Sequence, residues 1–246
     1  MFVRQRVGAD LTFPDRSYYY WNMSTENAPS GQKRPSFIET ARRAQLIACA
    51  IETLATEGYA QTSLARIAQR AQVSKSAITY YFSSKDELLK QVVIAVYQDA
   101  AAYIGPRVAA QNLASERLRA YIEAHIEYIS QHLTQMMALA EIGLNARGED
   151  GKPPLAALTD EPALAPLMRL LRHGQEADEF RDFDVRVMAI TIRRTIDGTP
   201  RLLISHPDLD VDHYTRELVT LYDYATRRSP PLPSEGGDSA ITRRLV

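Results

Sequence analysis

Residues 63–82 read SLARIAQRAQVSKSAITYYF. Ser63, with Thr62 before it, and Ser74 carry side chains that accept hydrogen bonds from the free amides of a helix's first turn, so each opens a short helix. The two helices are joined by a turn of about three residues, the spacing of a helix-turn-helix. Leu64, Ile67, Ala68, Val73, Ile78 and Phe82 fall where two crossing helices need a shared core, and Ala68 is small where the crossing is closest. The second helix then presents Lys75, Ser76, Thr79 and Tyr80 outward. Lysine donates, a hydroxyl donates or accepts, and tyrosine reaches a phosphate oxygen, so these side chains suit base edges and backbone phosphates. An α-helix also fits the major groove. An ordinary helical hairpin, with Tyr80 and Tyr81 merely packing, accounts for the periodicity equally well.

Upstream, Ile47, Ala50, Ile51, Leu54 and Ala55 make one apolar stripe at helical spacing, and Gly58 supplies a left-handed residue to end that helix. Downstream, Ser84 opens a fourth helix with Asp86 and Glu87 in its first turn, where the helix dipole favours anions. Beyond residue 100 the chain scans as helix over 115–131, 133–147, 162–178, 184–205 and 211–227. Breaks are expected at Gly105-Pro106, at the loop GEDGKPP (148–154) and at His206-Pro207. Pro200 should kink or divide its segment. Residues 1–36 lack periodicity and read as a disordered leader, and the Pro/Gly/Ser-rich 229–246 reads as a disordered tail. No strand pattern or repeat appears, and the expected fold is all-α.

The 246 residues contain 29 basic and 30 acidic side chains, a net charge of −1 that argues against blanket polyanion binding. The balance is local: between Lys33 and Lys90, nine basic residues face five acidic ones, leaving +4. Such asymmetry points to a nucleic-acid face on one part of the chain. No apolar run approaches the ~18 residues of a membrane span, and no secretory h-region opens the chain. The single cysteine, Cys49, excludes an internal disulfide framework and fits a reducing cytoplasm. No metal-ligand spacing, phosphate loop, dinucleotide fingerprint or nucleophile elbow occurs, so no cofactor, metal or catalytic residue is expected. His125 and His132 are too far apart along one helix for a metal pair and read as core or surface histidines.

Residues 40–59 (TARRAQLIACAIETLATEGY) and 62–89 (TSLARIAQRAQVSKSAITYYFSSKDELL) together resemble the DNA-binding domain of the TetR (tetracycline-repressor) family. The resemblance rests on the EGY ending, the T-S-L-x-x-I-A helix, V-S-K-S-x-I, Y-Y-F and S-K-x-E-L-L. It implies a three-helix DNA-binding domain over 37–100, with the helix-turn-helix at 63–82, and a larger helical effector and dimerisation domain over 101–228. It implies a homodimer on a palindromic double-stranded operator, acting as a transcriptional regulator, by default a repressor. Phosphate contacts fall on Ser63, Tyr81 and Lys85, and base readers on Lys75, Ser76, Ala77, Thr79 and Tyr80. The second half is similar to the family mainly in length and helicity, with GQEADEFRDFDVRVMAITIRRTIDG at 174–198 as its most family-like piece. The chain departs from the pattern at Gln72, where glycine is usual, and at Ala77 and Thr79, where threonine and tyrosine are common.

For a small apolar or aromatic effector, the expected contacts are Tyr97, Tyr121, Tyr128, Met136, Glu141, Asn145, Met168, Met188 and Arg193, with Asp197 as a further polar group. Core packing is the plainer reading for most of them. Val185, Met188, Ala189, Ile192 and Ile196 make one stripe, and Val211, Tyr214, Leu218, Leu221 and Ala225 another; they suit either a four-helix dimer interface or internal core, and the resemblance favours the interface. A ligand-independent regulator, an activator and a helical small-molecule-binding enzyme are the alternatives. Met23 opens a second plausible start, making 1–22 either a mis-assigned extension or a real arm.

Overall fold

The computed structural model describes residues 36–146 and 161–228. The leader up to residue 35, the two possible starts, the GEDGKPP loop and the tail from 229 lie outside the described residues. The all-α architecture is as expected. The described residues form nine helices, and the nearest approach to a strand among them is a single bridge between Phe180 and Arg227.

Helix α1 (Phe37–Gln61) begins on a capping box in which Ser36 and Glu39 satisfy each other's backbone amides. Its regular turns stop at Gly58, whose φ of 78° and ψ of 170° are open essentially to glycine alone. Thr62 closes that end by donating to the Gly58 carbonyl at 2.8 Å. Helix α2 (Leu64–Arg70) is capped by Ser63, and α3 (Lys75–Tyr81) by Ser74. The turn between them carries Gln72 at φ 56°. Val73 N–H donates to the Ala68 carbonyl at 2.9 Å and Gln72 N–H to Gln69 at 3.1 Å, the pair of bonds that closes a helix through a left-handed residue. The glycine-like geometry is kept although the residue is Gln, at a cost of roughly 1 kcal/mol.

Helix α4 (Lys85–Ala109) is capped by Ser84 and runs straight through the break expected at Gly105-Pro106, and through residue 100. Pro106 lies in the last turn, where its missing amide leaves only an exposed carbonyl at Ala102 for water to satisfy. The turn is also supported by Arg107, which donates to the Tyr103 carbonyl at 2.7 Å. Then come α5 (Ala114–Gln131), α6 (Leu133–Asn145), α7 (Glu161–Glu176), α8 (Val185–Ser205) and α9 (Val211–Thr226). Of the two outcomes expected at Pro200, division does not occur, and α8 continues through it; the Thr199 hydroxyl bonds the Thr195 carbonyl one turn back, at 3.2 Å.

Two apolar cores organise these helices. The first joins Leu46, Ala50 and Leu54 of α1, Ile67 and Ala68 of α2, Ile78 and Phe82 of α3 and its C-cap, and Leu88, Leu89, Val92 and Val93 of α4. Leu64 and Val73 pack against it, completing the small core read from the sequence. It also takes in Ala138, Ile142 and Ala146, so α6 is a structural partner of the N-terminal helices. The second core gathers the far end of α4 with α5, α7, α8 and α9.

Candidate nucleic-acid interface and a buried polar cluster

The two caps and the shared core fix α3 so that one side is buried through Ile78 while Lys75, Ser76, Thr79 and Tyr80 are exposed. Tyr80 is 72% exposed and stands edge-on to Tyr81, ring centroids 5.0 Å apart. An aromatic left so open on a short helix is an unpartnered surface. Its hydroxyl approaches a Glu39 carboxylate oxygen at 3.4 Å, which brings the start of α1 beside α3. The Thr79 hydroxyl donates back to the carbonyls of Lys75 and Ser76, at 3.1 and 3.0 Å. It therefore offers solvent an acceptor oxygen and a methyl, the accepting one of the two roles open to a hydroxyl. Ala77 is half-buried.

The expected phosphate residues flank this helix. Ser63 Oγ accepts from Arg66 N–H at 3.2 Å, which leaves its own hydrogen free to donate. Tyr81 is half-buried, and its carbonyl is gripped by Arg43 Nη1 at 2.7 Å. Lys85 donates to the Tyr59 carbonyl at 2.9 Å, with its ammonium 3.7 Å from the centre of the Tyr59 ring. Partial burial holds that ammonium below its ordinary pKa, partly offset by Asp86. Behind the interface, Glu57 binds both Arg66 and Arg70, at 2.6 and 2.8 Å, locking α2 onto α1. These bonds keep the Glu57 carboxyl below its usual range.

The residues expected around an effector divide into three groups. Tyr97, Tyr121 and Arg193 come together where α4, α5 and α8 meet, and Asp197 joins them through an ion pair of 2.9 Å with Arg193. His125, which sequence reasoning set aside, belongs here too. Its ring packs on Tyr121 with centroids 4.1 Å apart, and its Nδ1 lies 2.7 Å from the Tyr121 carbonyl. A carbonyl only accepts, so Nδ1 carries the hydrogen and the Nε2 lone pair faces Arg193 Nη1, 3.4 Å away. Nothing local in the sequence marks His125; Asp197 was legible as the i+4 partner of Arg193.

Met136, Met168 and Met188 form the second group and pack against the second core. Tyr128 is buried too, its hydroxyl donating to Asp99 at 2.9 Å and its ring stacked on His132 at 4.0 Å. Glu141 and Asn145 are the third group and do not join the Arg193 cluster. Glu141 accepts from Tyr59 N–H at 2.8 Å, on the N-terminal helices. The reason is the face of α6 they occupy, which packs on α1.

Burial, reinforced by the Arg193 charge and partly opposed by the Tyr121 carbonyl, pushes His125 down from 6.5 to about 3. Because the folded value is depressed, stability is constant above pH 6.5 and falls as the unfolded imidazole takes up a proton, until about pH 3. Between pH 7 and pH 5 the expected loss averages about 1 kcal/mol per pH unit, short of the full ~1.4, because the unfolded imidazole is only partly charged at the upper end of that window. Urea unfolding at pH 7 and pH 5 should show H125Q losing less stability on acidification than the wild type. Parallel losses would place the histidine outside the acid response.

The stripe of α8 expected at a subunit interface faces the chain's own core instead. Ala189, Ile192 and Ile196 are buried, with Val185 and Met188 packed beside them. On α9, Leu218 is likewise buried and Val211 and Tyr214 pack inward. An apolar stripe must be covered, and α5 and α7 do so within the subunit. The large apolar residues of these two helices left in solvent are Val187 and Ile204 of α8, and Leu221 and Tyr224 of α9 at 58% and 60% exposure. Of the ten stripe residues, Leu221 is the one found exposed. Gly198, also on the outer side of α8, has nothing within 4 Å of the place a Cβ would take.

Known proteins resemble the chain in both halves. The family profile "Bacterial regulatory proteins, tetR family" matches residues 46–92. The HTH-type transcriptional regulator BetI of Paraburkholderia phymatum is 38% identical over 87 residues, 35% of this chain and 44% of that protein. BetI of Burkholderia ambifaria is 39% identical over 87 residues, covering 35% and 45%. The chain thus spans less than half the length of the curated relatives it matches. Among solved structures, the ketosteroid transcriptional regulator KstR2 of Mycobacterium tuberculosis superposes with a TM-score of 0.62 at 20% identity, over 81% of this chain and 98% of that one. A bacterial regulatory protein in the tetR family from Rhodococcus RHA1 gives 0.65 at 20% identity, over 76% and 98%. These likenesses carry the fold over both cores, while the sequence matches carry the N-terminal domain. The N-terminal helix-turn-helix domain thus matches the tetR family of bacterial regulatory proteins, and the chain as a whole shares the fold of solved regulators of that kind.

Proposed function

We propose that the protein is a sequence-specific DNA-binding transcriptional regulator, a repressor acting as a homodimer on a palindromic operator and released by a small, largely apolar ligand. The observation that carries this reading is the exposed face of α3, with Lys75, Ser76, Thr79 and Tyr80 held outward by a helix-turn-helix core. In the reading, Lys75, Ser76, Ala77, Thr79 and Tyr80 meet bases, and Ser63, Tyr81 and Lys85 meet phosphates. The dimer is assigned to the outer faces of α8 and α9. Val187, Ile204, Leu221 and Tyr224 are the apolar residues there, and Gly198 lets a partner helix approach closely. The ligand is assigned to the region 101–205 with Tyr97 of α4, its apolar body against Met136, Met168 and Met188 and any polar group toward Arg193. The N-terminal domain is taken as 37–100, with the α4 helix shared between the two.

An unbiased selection of bound DNA, followed by titration of the selected site, tests the reading. A palindromic site should emerge, bound by two chains per duplex in sedimentation. Log K should fall linearly with log salt, by about 0.9 for each phosphate neutralised. K85A should weaken all sequences alike, whereas K75A or T79A should change the preferred bases. Equal losses from all three, with an unchanged site, would contradict the division of roles.

A further inference from the structure

The turn that ends α1 is held from two opposite sides by charged groups. At Gly58 the backbone leaves helical dihedrals, which turns the Tyr59 amide out of the regular ladder toward α6. It is satisfied by a Glu141 carboxylate oxygen of α6, 2.8 Å away and 82 positions on in sequence. On the other side of the same residue, the Tyr59 carbonyl takes the Lys85 ammonium at 2.9 Å, and the Tyr59 ring lies under that ammonium. Asn145 steadies Glu141 from one turn along α6, donating to its carbonyl at 3.0 Å and approaching its carboxylate at 3.4 Å. Glu141 Oε2 also lies 3.5 Å from the site a Cβ would take on Gly58, so the carboxylate fills the space that glycine leaves.

We propose that Glu141 is a positioning residue that carries the state of the second core to the DNA-facing end of α4, through Tyr59 to Lys85. The inference rests on the reading of Lys85 as a phosphate contact. Helix α6 suits the task because it belongs to both cores. Ala138 and Ile142 lie in the first, while Leu133 and Met136 pack against the second. A shift of α6 withdraws Glu141 and breaks its bond to the Tyr59 amide, a loss the turn relieves by moving. When Tyr59 moves, Lys85 loses both its carbonyl and its ring, and with them the placement of its remaining N–H groups toward a phosphate. This route acts beside any tilt of α4 itself.

The test is a mutant cycle on the selected operator with E141A, K85A and the double variant, read by fluorescence anisotropy over a range of salt. Removing a carboxylate near DNA ordinarily strengthens binding, so the sign alone discriminates. E141A is expected to weaken the operator about tenfold and to reduce the salt slope as K85A does, by about 0.9 per half-site. In the K85A background, E141A should have no further effect, and E141Q, whose amide oxygen still accepts from Tyr59, should bind within about twofold of wild type. If E141A does not fold, E141D, whose carboxylate falls one methylene short, completes the same cycle. Additive losses in the double variant, an unchanged salt slope, or an E141Q as weak as E141A would each overturn the relay. Wild-type protein that selects no DNA would overturn the functional reading itself.

Discussion

Replacing Gly174 by alanine is expected to cost about 3 kcal/mol of stability, because a Cβ there would stand inside the ring of Phe180. The nearest ring carbons lie 2.1, 2.4 and 2.9 Å from the position the Cβ would occupy. The ring cannot swing away, since Phe180 is buried in the second core and packs beside Phe183. Its backbone is fixed as well: Phe180 N–H donates to the Gly174 carbonyl at 3.0 Å, and Arg181 N–H to Thr226 at 2.9 Å. On the neighbouring residue, Glu179 caps α5 through the amides of Ala114 and Ser115, both at 3.0 Å. Burial raises the Glu179 carboxyl, but these bonds and the Ser115 hydroxyl outweigh it and hold the pKa below its ordinary value. The substitution must therefore push a whole tied segment outward. For a chain of this size, 3 kcal/mol corresponds to a melting temperature lower by roughly 6–12 °C. F180L should recover part of the loss when combined with G174A, with a coupling above about 1 kcal/mol. Calorimetry that finds G174A within 1 °C of wild type would mean that the Gly174–Phe180 contact does not constrain the fold.

How much of this was legible beforehand depends on how local each constraint is. Ser63, Ser74 and Ser84 announce their helices because a cap acts within three residues, and the structure places all three as caps. Gln72 stood out as a departure from the glycine usual in the resembled family, with a slightly different turn expected, yet it holds the left-handed φ of 56°. The stripe on α8 was correctly seen as buried but assigned to the wrong cover, since amphipathicity says that a face is hidden and not by what. Gly174 looked like any helical glycine, because the reason for it is a ring six residues on, brought back by a turn at Asp178 with φ 59°. Glu141 was read as an effector contact for a similar reason: its partner is a backbone amide 82 residues away, and amides have no sequence signature. The proline of α4 failed as a break because, near a helix end, the lost bond falls on an exposed carbonyl.

The effect expected to be largest belongs to T79E. Thr79 is exposed, and its hydroxyl bonds only to its own helix, so replacing it disturbs neither core. Glutamate is also a good helix former, and the melting temperature should move by no more than about 2 °C, since exposed substitutions stay within about 0.5 kcal/mol. On DNA the outcome differs. The face that carries Thr79 also carries Lys75, Ser76 and Tyr80, so in the proposed reading a carboxylate there enters the groove between two rows of phosphates. Like-charge juxtaposition at an interface costs several kcal/mol, of which about 2 per half-site is a conservative share. The proposed homodimer would meet the penalty at both half-sites, and about 4 kcal/mol corresponds to roughly a thousandfold loss of operator affinity. T79A provides the contrast, because removing the acceptor oxygen and methyl alters which bases are preferred without adding charge. Anisotropy titrations of wild type, T79A and T79E on the selected operator distinguish the cases. If T79E binds within tenfold of wild type while its melting temperature is unchanged, α3 does not face the DNA, and the reading helix must be sought elsewhere in the fold.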